Sequence, residues 1–140
     1  MDDGPRTRRE GTSKRVDVAA TLPSDAELKL LRELWEHGEQ SVGDLHERVQ
    51  DYWPVGYTTV LKLLQRMTDK GLVTRRSSGR AHLYRPAVAR EKTERRVARS
   101  FLQQTFGGSI EALVQSALPT GRARREEIEE IRRLLDRLEE

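Results

Sequence analysis

Hydroxyl and cationic side chains recur between Tyr57 and Arg80, in a pattern typical of contacts with nucleic acid. Hydroxyl groups can hydrogen-bond to base edges, whereas guanidinium and ammonium groups neutralise phosphates. Residues 52–90 contain eight basic residues and one acid, a net charge of +7, although the whole chain carries only +3. Because basic charge is concentrated here, we predict a DNA-binding surface. The residues predicted to contact DNA, called the reading face below, are Tyr57, Thr58, Thr59, Lys62, Arg66, Arg75, Arg76 and Arg80.

The reading face is expected to make two kinds of contact. Thr58, Thr59 and Lys62, with Tyr57 as a further candidate, should reach base edges or the adjacent phosphates. The arginines should mainly meet phosphates, which fixes the register of the protein without reading sequence. The alternative is a solvated helix face beside an arbitrary basic hairpin.

A helix followed by two strands is predicted to position these residues. In residues 57–70 the apolar positions recur at spacings of three and four, which indicates a helix with one buried face. Gly71 follows where a left-handed cap would end that helix. Residues 72–76 and 81–85 have strand patterns, and residues 77–80 have the composition of a hairpin turn.

Two shorter helices are predicted before this unit. Ser24 with Glu27, and Ser41 with Asp44, have the spacing of reciprocal N-terminal caps. Three helices and a hairpin make a winged helix-turn-helix domain, which we place at residues 23–86. In that arrangement the third helix enters the major groove and the hairpin lies on the neighbouring backbone.

Residues 87–140 are predicted to form three further helices with narrow apolar stripes. About ten apolar side chains, each worth roughly 1.5 to 3 kcal/mol when buried, are available to another surface. We expect a second copy of the chain to cover them in a homodimer, so that this segment is a helical dimerisation domain. The alternative is that these helices fold back on the winged domain of their own chain. The residues predicted to form the dimer contact are Val97, Phe101, Leu102, Phe106, Leu113, Ile128, Ile131, Leu134, Leu135 and Leu138.

Composition argues against several classes of protein. The chain of 140 residues has no cysteine, and its histidines, His37, His46 and His82, are not spaced as metal ligands. No nucleophile elbow or phosphate-binding loop is present, so we expect neither an enzyme nor a metal or other cofactor.

The sequence also leads to expectations about location and the N-terminus. It contains no apolar run long enough to span a membrane and no secretory signal, so we expect a soluble, cytoplasmic protein. Residues 1–22 have almost no periodic apolar positions and are expected to form a disordered arm. Contact between that arm and DNA is the alternative.

Several short motifs resemble one family of regulators. The chain, over about residues 22–140, is similar to the penicillinase repressor family of transcriptional regulators, the BlaI, MecI and CopY type. The resemblance implies a mainly α fold with a small β-hairpin, in which a winged-helix domain precedes a helical dimerisation domain. The motifs are Ala26-Glu27-Leu28, Leu34-Trp35, Tyr57-Thr58-Thr59-Val60, Leu64-Gln65-Arg66-Met67, Lys70-Gly71-Leu72-Val73, Tyr84-Arg85-Pro86, Phe101-Leu102, Phe106-Gly107-Gly108 and Leu113-Val114.

The family resemblance also implies a mode of action. A homodimer would repress transcription by occupying a palindromic operator, and a membrane-bound sensor metalloprotease would release it by cutting an Asn-Phe bond. The matching bond is Ser100–Phe101, so this chain departs from the family at the first position. The copper-sensing branch uses a C-terminal cysteine cluster, which this chain lacks. The alternatives are a ligand-sensing winged-helix regulator of another family and a winged-helix protein-interaction module.

Overall fold

The computed structural model describes residues 22–120 and 123–140, so most of the predicted arm at residues 1–22 lies outside the described part. In chain order the helices are α1 (Asp25–His37), α2 (Val42–Val49), α3 (Tyr57–Lys70), α4 (Arg90–Phe106), α5 (Ile110–Ala117) and α6 (Arg125–Glu139). The strands are β1 (Gln40–Ser41), β2 (Val73–Ser78) and β3 (Ala81–Pro86), and a 3-10 turn spans Leu118–Thr120.

The first two helices begin at the predicted caps. Ser24 Oγ accepts a hydrogen bond from the Glu27 backbone N–H at 3.2 Å, and Glu27 Oε1 accepts one from the Ser24 N–H at 2.9 Å. Ser41 and Asp44 form the same reciprocal pair at the start of α2. Each pair satisfies backbone N–H groups that the first helical turn leaves without partners, and both capping predictions are confirmed.

The sheet has three strands rather than the two predicted. Its order is β1-β3-β2, with all pairs antiparallel, and Gln40 of β1 lies opposite Tyr84 of β3. β1 is only two residues long, which is too short for any periodicity, and its Ser41 also caps α2. Sequence patterns therefore missed this strand.

The hairpin turn is tighter than predicted. Ser77 and Ser78, which were predicted to lie in the turn, belong to β2 and pair with β3. Gly79 and Arg80 alone connect the strands, and Gly79 has φ of 65°. A positive φ is accessible to glycine without strain, which allows the two strands to be joined by so short a turn. The β2–β3 hairpin is called the wing below.

The core lies where the three helices meet the base of the sheet. α1 contributes three leucines, α3 contributes every third or fourth residue, and Tyr84 closes the core from β3. The buried apolar residues are Leu30, Leu31, Leu34, Val42, Leu45, Val49, Val60, Leu64, Met67, Leu72, Val73 and Tyr84.

The start of α4 is tied to this core. Trp35 Nε1 donates a hydrogen bond to the Val88 carbonyl at 3.2 Å, and the Arg90 guanidinium lies 5.7 Å from the Trp35 ring centre. Thr93 is also buried. The chain divides into two compact units between Val97 and Ala98, so the first part of α4 belongs to the winged unit.

The second unit, Ala98–Glu140, consists of helices whose described apolar side chains are half-buried or exposed. Gly107 and Gly108, both at positive φ, end α4, and the Ser109 side chain caps α5 by accepting a hydrogen bond from the Ala112 N–H. No residue that the structure describes in this unit is buried. The last helix begins at Arg125.

In the described ranges, 22–120 and 123–140, none of the helices has the length and apolar character that a membrane span requires.

Candidate nucleic-acid interface

The helical part of the reading face lies along one exposed side of α3. Val60, Leu64 and Met67 are buried on the opposite side, and this spacing turns the polar residues outward. Gly56 precedes the helix in an extended conformation, and Gly71 ends it in the left-handed conformation. The exposed α3 residues are Tyr57, Thr58, Thr59, Lys62 and Arg66, together with Gln65 and Asp69.

The wing carries the rest of the reading face. Arg75, Arg76 and Arg80 are all exposed, the first two on β2 and the third in the turn. Val73 and Tyr84 anchor the base of the hairpin in the core. The structure thus places these arginines on an extension whose base is rigidly packed.

Several of the basic residues in the segment are neutralised within the protein. Lys70 Nζ lies 2.6 Å from Glu27 Oε1, whose side chain is fully buried, and 3.0 Å from the Leu22 carbonyl. Arg90 pairs with Glu36 and Glu94. These two residues therefore account for part of the local positive charge without adding to the reading face.

Four cations of the reading face remain available to an external anion. Among the described residues, the side chains of Lys62, Arg66, Arg75 and Arg80 form neither an ion pair nor a hydrogen bond. Arg85, on β3 of the wing, is also exposed and makes a long contact from Nε to Thr74 Oγ1 at 3.4 Å. Unpaired cations on one helix and one hairpin are the electrostatic footprint of a protein that binds an anionic polymer.

Arg76 differs from these four, because it forms a two-pronged ion pair with Glu39. Its Nε and Nη2 each donate a hydrogen bond of 2.8 Å to a different oxygen of the Glu39 carboxylate. Hydrogen bonding from Arg76 lowers the pKa of Glu39 below its usual value of 4.5, and the bond to Glu39 raises the pKa of Arg76. Part of the Arg76 charge is therefore compensated by this carboxylate.

Tyr57 has a neighbour that the sequence did not reveal. The His46 ring, on α2, contacts the half-exposed Tyr57 ring edge to face, with 5.9 Å between ring centres. This contact holds the phenol at the entrance to α3.

Sequence reasoning missed Glu39 and His46 as neighbours of the reading face. Glu39 lies 37 positions from Arg76, and nothing in its surrounding sequence indicates that contact. His46 is not spaced as a metal ligand, and its surrounding sequence does not indicate contact with Tyr57. The neighbours of the reading-face residues are therefore known only from the fold.

The ten residues predicted for dimerisation lie in a different part of the fold. Val97 ends the winged unit, and the others belong to the second unit, where Phe101, Leu134, Leu135 and Leu138 are at least 48% exposed. The Phe101 and Phe106 rings pack edge to face, with centres 5.8 Å apart. Ser100 and Phe101, the predicted cleavage pair, lie inside α4.

Residues 22–120 and 123–140 contain no cluster of three or more histidine, aspartate or glutamate side chains that could hold a metal ion.

Comparisons with known proteins identify relatives along nearly the whole chain. The family model described as penicillinase repressor matches residues 23–137. The penicillinase repressor of Staphylococcus aureus is 24% identical over 124 residues, which cover 89% of this chain and 94% of the relative. The transcriptional regulator BlaI of Mycobacterium tuberculosis is 36% identical over 73 residues, which cover 51% of this chain and 53% of the relative.

A solved structure supports the fold. It is a homodimeric winged helix-turn-helix DNA-binding domain from Mycobacterium bovis, described as a possible ArsR-family transcriptional regulator. It aligns with a TM-score of 0.50 and 23% identity, over 74% of this chain and 87% of its own. The family is shown by the match over residues 23–137, and the chain belongs to the penicillinase repressor family of DNA-binding transcriptional repressors.

Proposed function

We propose that this repressor binds a palindromic operator as a homodimer, with α3 in the major groove and the wing on the adjacent backbone. The observation that carries the proposal is the set of unpaired, exposed cations on α3 and the wing, namely Lys62, Arg66, Arg75 and Arg80. Their position on a helix and hairpin that share one core suits a duplex, because both elements can meet the same DNA at once.

The reading face divides into two groups by the contacts proposed for it. Tyr57, Thr58, Thr59 and Lys62 lie in the first two turns of α3, and we assign them to base edges and the nearest phosphates. N-terminal residues of a recognition helix reach deepest into the groove. The arginines Arg66, Arg75, Arg76 and Arg80 are assigned to phosphates, which positions the protein in a sequence-independent way.

The second unit is assigned to dimerisation. None of its described apolar side chains is fully buried in the single chain, and α6 carries Ile128, Ile131, Leu135 and Leu138 at a spacing close to that of a helix-pairing seam. A twofold dimer presents two copies of α3 to two half-sites, so it doubles the phosphate contacts. This arrangement accounts for a palindromic target.

The proposed role is binding without catalysis, as in a family of DNA-binding regulators. We also propose the cytoplasm as its compartment, because its relatives come from bacteria, in which operator DNA lies in the cytoplasm.

Release by proteolysis is proposed from the family resemblance, with the cut at Ser100–Phe101 by a membrane-bound sensor metalloprotease. The half-exposed Phe101 side chain favours access to this bond. Cleavage there would separate the winged unit from the apolar residues of the second unit. Both residues lie within α4, so the protease must first unwind that helix. Mass spectrometry of the chain after induction would show fragments ending at Ser100, and an intact chain would contradict this proposal.

A salt titration tests the DNA contacts. Lys62→Ala and Arg80→Ala should each weaken binding to duplex DNA, and Arg80→Ala should lower the dependence of log affinity on log salt by about one unit. Arg32→Ala is the matched control, because it removes an exposed cation from α1, outside the reading face. Gel-shift titrations at two salt concentrations give both quantities. Equal losses for all three variants, or no loss for any, would contradict the assignment.

A further inference from the structure

Glu39 links the end of the first helix to the wing. It follows Gly38, which has φ of 84°, and immediately precedes β1. Arg76 lies on β2, and β3 separates the two strands in the sheet. The ion pair between Glu39 and Arg76 therefore spans the sheet and ties an arginine of the wing to the winged core.

The geometry of the pair fixes the direction of the guanidinium group. The Glu39 carboxylate occupies the edge formed by Nε and Nη2, with both hydrogen bonds at 2.8 Å. A planar guanidinium has further N–H groups on the edge formed by Nη1 and Nη2. The Arg76 side chain is 58% exposed, so that second edge is accessible to a phosphate. The carboxylate and a phosphate can therefore bind Arg76 at the same time.

A second arginine of the wing also affects the pKa of Glu39. Its pKa is lowered first by the hydrogen bond and charge of Arg76 and, beyond these, by the charge of Arg85. Arg85 of β3 lies opposite Thr74 of β2, and Thr74 lies two positions before Arg76 on that strand.

We propose that Glu39 is a positioning residue for DNA binding, which holds Arg76 so that the free edge of its guanidinium faces a backbone phosphate. The inference rests on the proposed function, since it assumes that the wing meets DNA. An unrestrained arginine loses rotamer freedom when a phosphate orders it, whereas Arg76 is already ordered by Glu39 before DNA arrives. If Glu39 instead competed with phosphate for Arg76, its removal would raise the affinity for DNA rather than lower it.

Four variants of the full chain test the proposal: Glu39→Ala, Glu39→Gln, Arg76→Ala and the double variant Glu39→Ala/Arg76→Ala. The probe is a mixed-sequence duplex long enough for two half-sites, since a phosphate contact does not depend on sequence. Fluorescence anisotropy at several salt concentrations gives the affinity and its salt slope. Thermal unfolding of each variant reports the fold, and it should change little because exposed ion pairs contribute little to stability.

The expected result is a loss of affinity in Glu39→Ala that depends on Arg76. Glu39→Ala should weaken binding by roughly 2- to 10-fold, the cost of ordering one long side chain, and should leave the salt slope unchanged. Arg76→Ala should weaken binding and lower the slope by about one unit. In the Arg76→Ala background, the Glu39→Ala substitution should cause no further loss. Glu39→Gln, which keeps an acceptor for Arg76, should bind more tightly than Glu39→Ala.

Glu47→Ala is the matched control, because it removes an exposed carboxylate from α2 that pairs with no described residue. It corrects for the general gain in DNA affinity when a negative charge is lost. If Glu39→Ala binds as tightly as Glu47→Ala, or more tightly, the positioning role is wrong. If Arg76→Ala also binds like the wild type, Arg76 makes no phosphate contact. The proposed function would still be supported by Lys62 and Arg80. It would fail if Lys62→Ala and Arg80→Ala also left the affinity for DNA unchanged.

Discussion

The two compact units of this chain differ in what they do with apolar side chains. The winged unit, which ends at Val97, buries its apolar residues in one core, and Leu30, Leu45, Val60 and Leu64 are completely inaccessible. In Ala98–Glu140 no described residue is buried, and large side chains such as Ile110 and Leu138 are 65% and 74% exposed. Burial of apolar surface is the main source of stability, so the first unit can stabilise itself, whereas the second depends on another surface.

This difference in the burial of apolar side chains favours different roles for the two units of the repressor. A unit with its own core can hold α3 and the wing in a fixed arrangement, as DNA reading requires. A unit with exposed apolar stripes is suited to pairing with an identical unit, because a twofold interface brings the same patch of each copy together. Each of the following predictions tests one side of this comparison.

Removal of the second unit should have the largest effect. A chain that ends at Val97 should remain folded and monomeric, because Val88 and Thr93 stay in contact with the winged core. Its affinity for a two-half-site operator should fall by about 10²- to 10⁴-fold, since the two reading faces are no longer linked. Sedimentation and gel-shift titration measure the two quantities. A truncated chain that is still dimeric would reverse the assignment of the units.

Two leucine substitutions compare the units directly. Leu34→Ala removes a side chain that is 1% exposed, and it should lower the free energy of unfolding of the winged unit by about 2–5 kcal/mol. Leu138→Ala removes one that is 74% exposed, and it should instead shift the monomer–dimer equilibrium toward monomer. Urea unfolding and sedimentation at several concentrations distinguish these outcomes. The comparison is wrong if Leu138→Ala destabilises the winged unit and leaves dimerisation unchanged.

Lys62→Ala should have an intermediate effect, confined to DNA binding. Loss of a base contact costs about 1–3 kcal/mol and relaxes sequence preference at that position. The fold should be unaffected because Lys62 is exposed and pairs with no described residue. Affinity for a set of operators with single base changes measures the preference. A uniform loss across all of them would move Lys62 from base contact to phosphate contact.

The smallest effect is expected for the change in stability when Glu39 is protonated. In the folded protein its pKa lies below 4.5 because Arg76 donates hydrogen bonds to the carboxylate. The contribution of this ion pair to the free energy of unfolding is therefore fully present above pH 4.5, the usual pKa of the carboxyl group. It is lost as the pH falls through the lowered pKa of Glu39. Carbon NMR of the Glu39 carboxyl should show the midpoint rising toward 4.5 in Arg76→Ala. Equal midpoints in the two proteins would mean that the pair is absent in solution.

Local signals explain how much of the fold the sequence predicted. The caps at Ser24 and Ser41, the left-handed Gly71 and the spacing of Val60, Leu64 and Met67 each act within a few residues, and the structure has all of them. The fold class followed from these elements in order and the family from the resemblance of short motifs, and the comparisons show both. The reading-face residues remain predictions, although the structure exposes all of them.

Contacts between distant residues account for what the sequence did not reveal. β1 exists because Gln40 and Ser41 pair with β3, more than forty positions along the chain. The Glu39–Arg76 pair and the neutralisation of Lys70 by Glu27 likewise join residues 37 and 43 positions apart. Local patterns carry no information on such pairings, so the net charge of the segment overstated the number of cations available to DNA.

The most direct test is selection of duplexes from random DNA by the purified full-length protein. A twofold pair of reading faces predicts an enriched inverted repeat, with half-site centres separated by about one helical turn or a multiple of it. Enrichment of no sequence, or of a single half-site without a symmetric partner, would contradict operator binding by a homodimer.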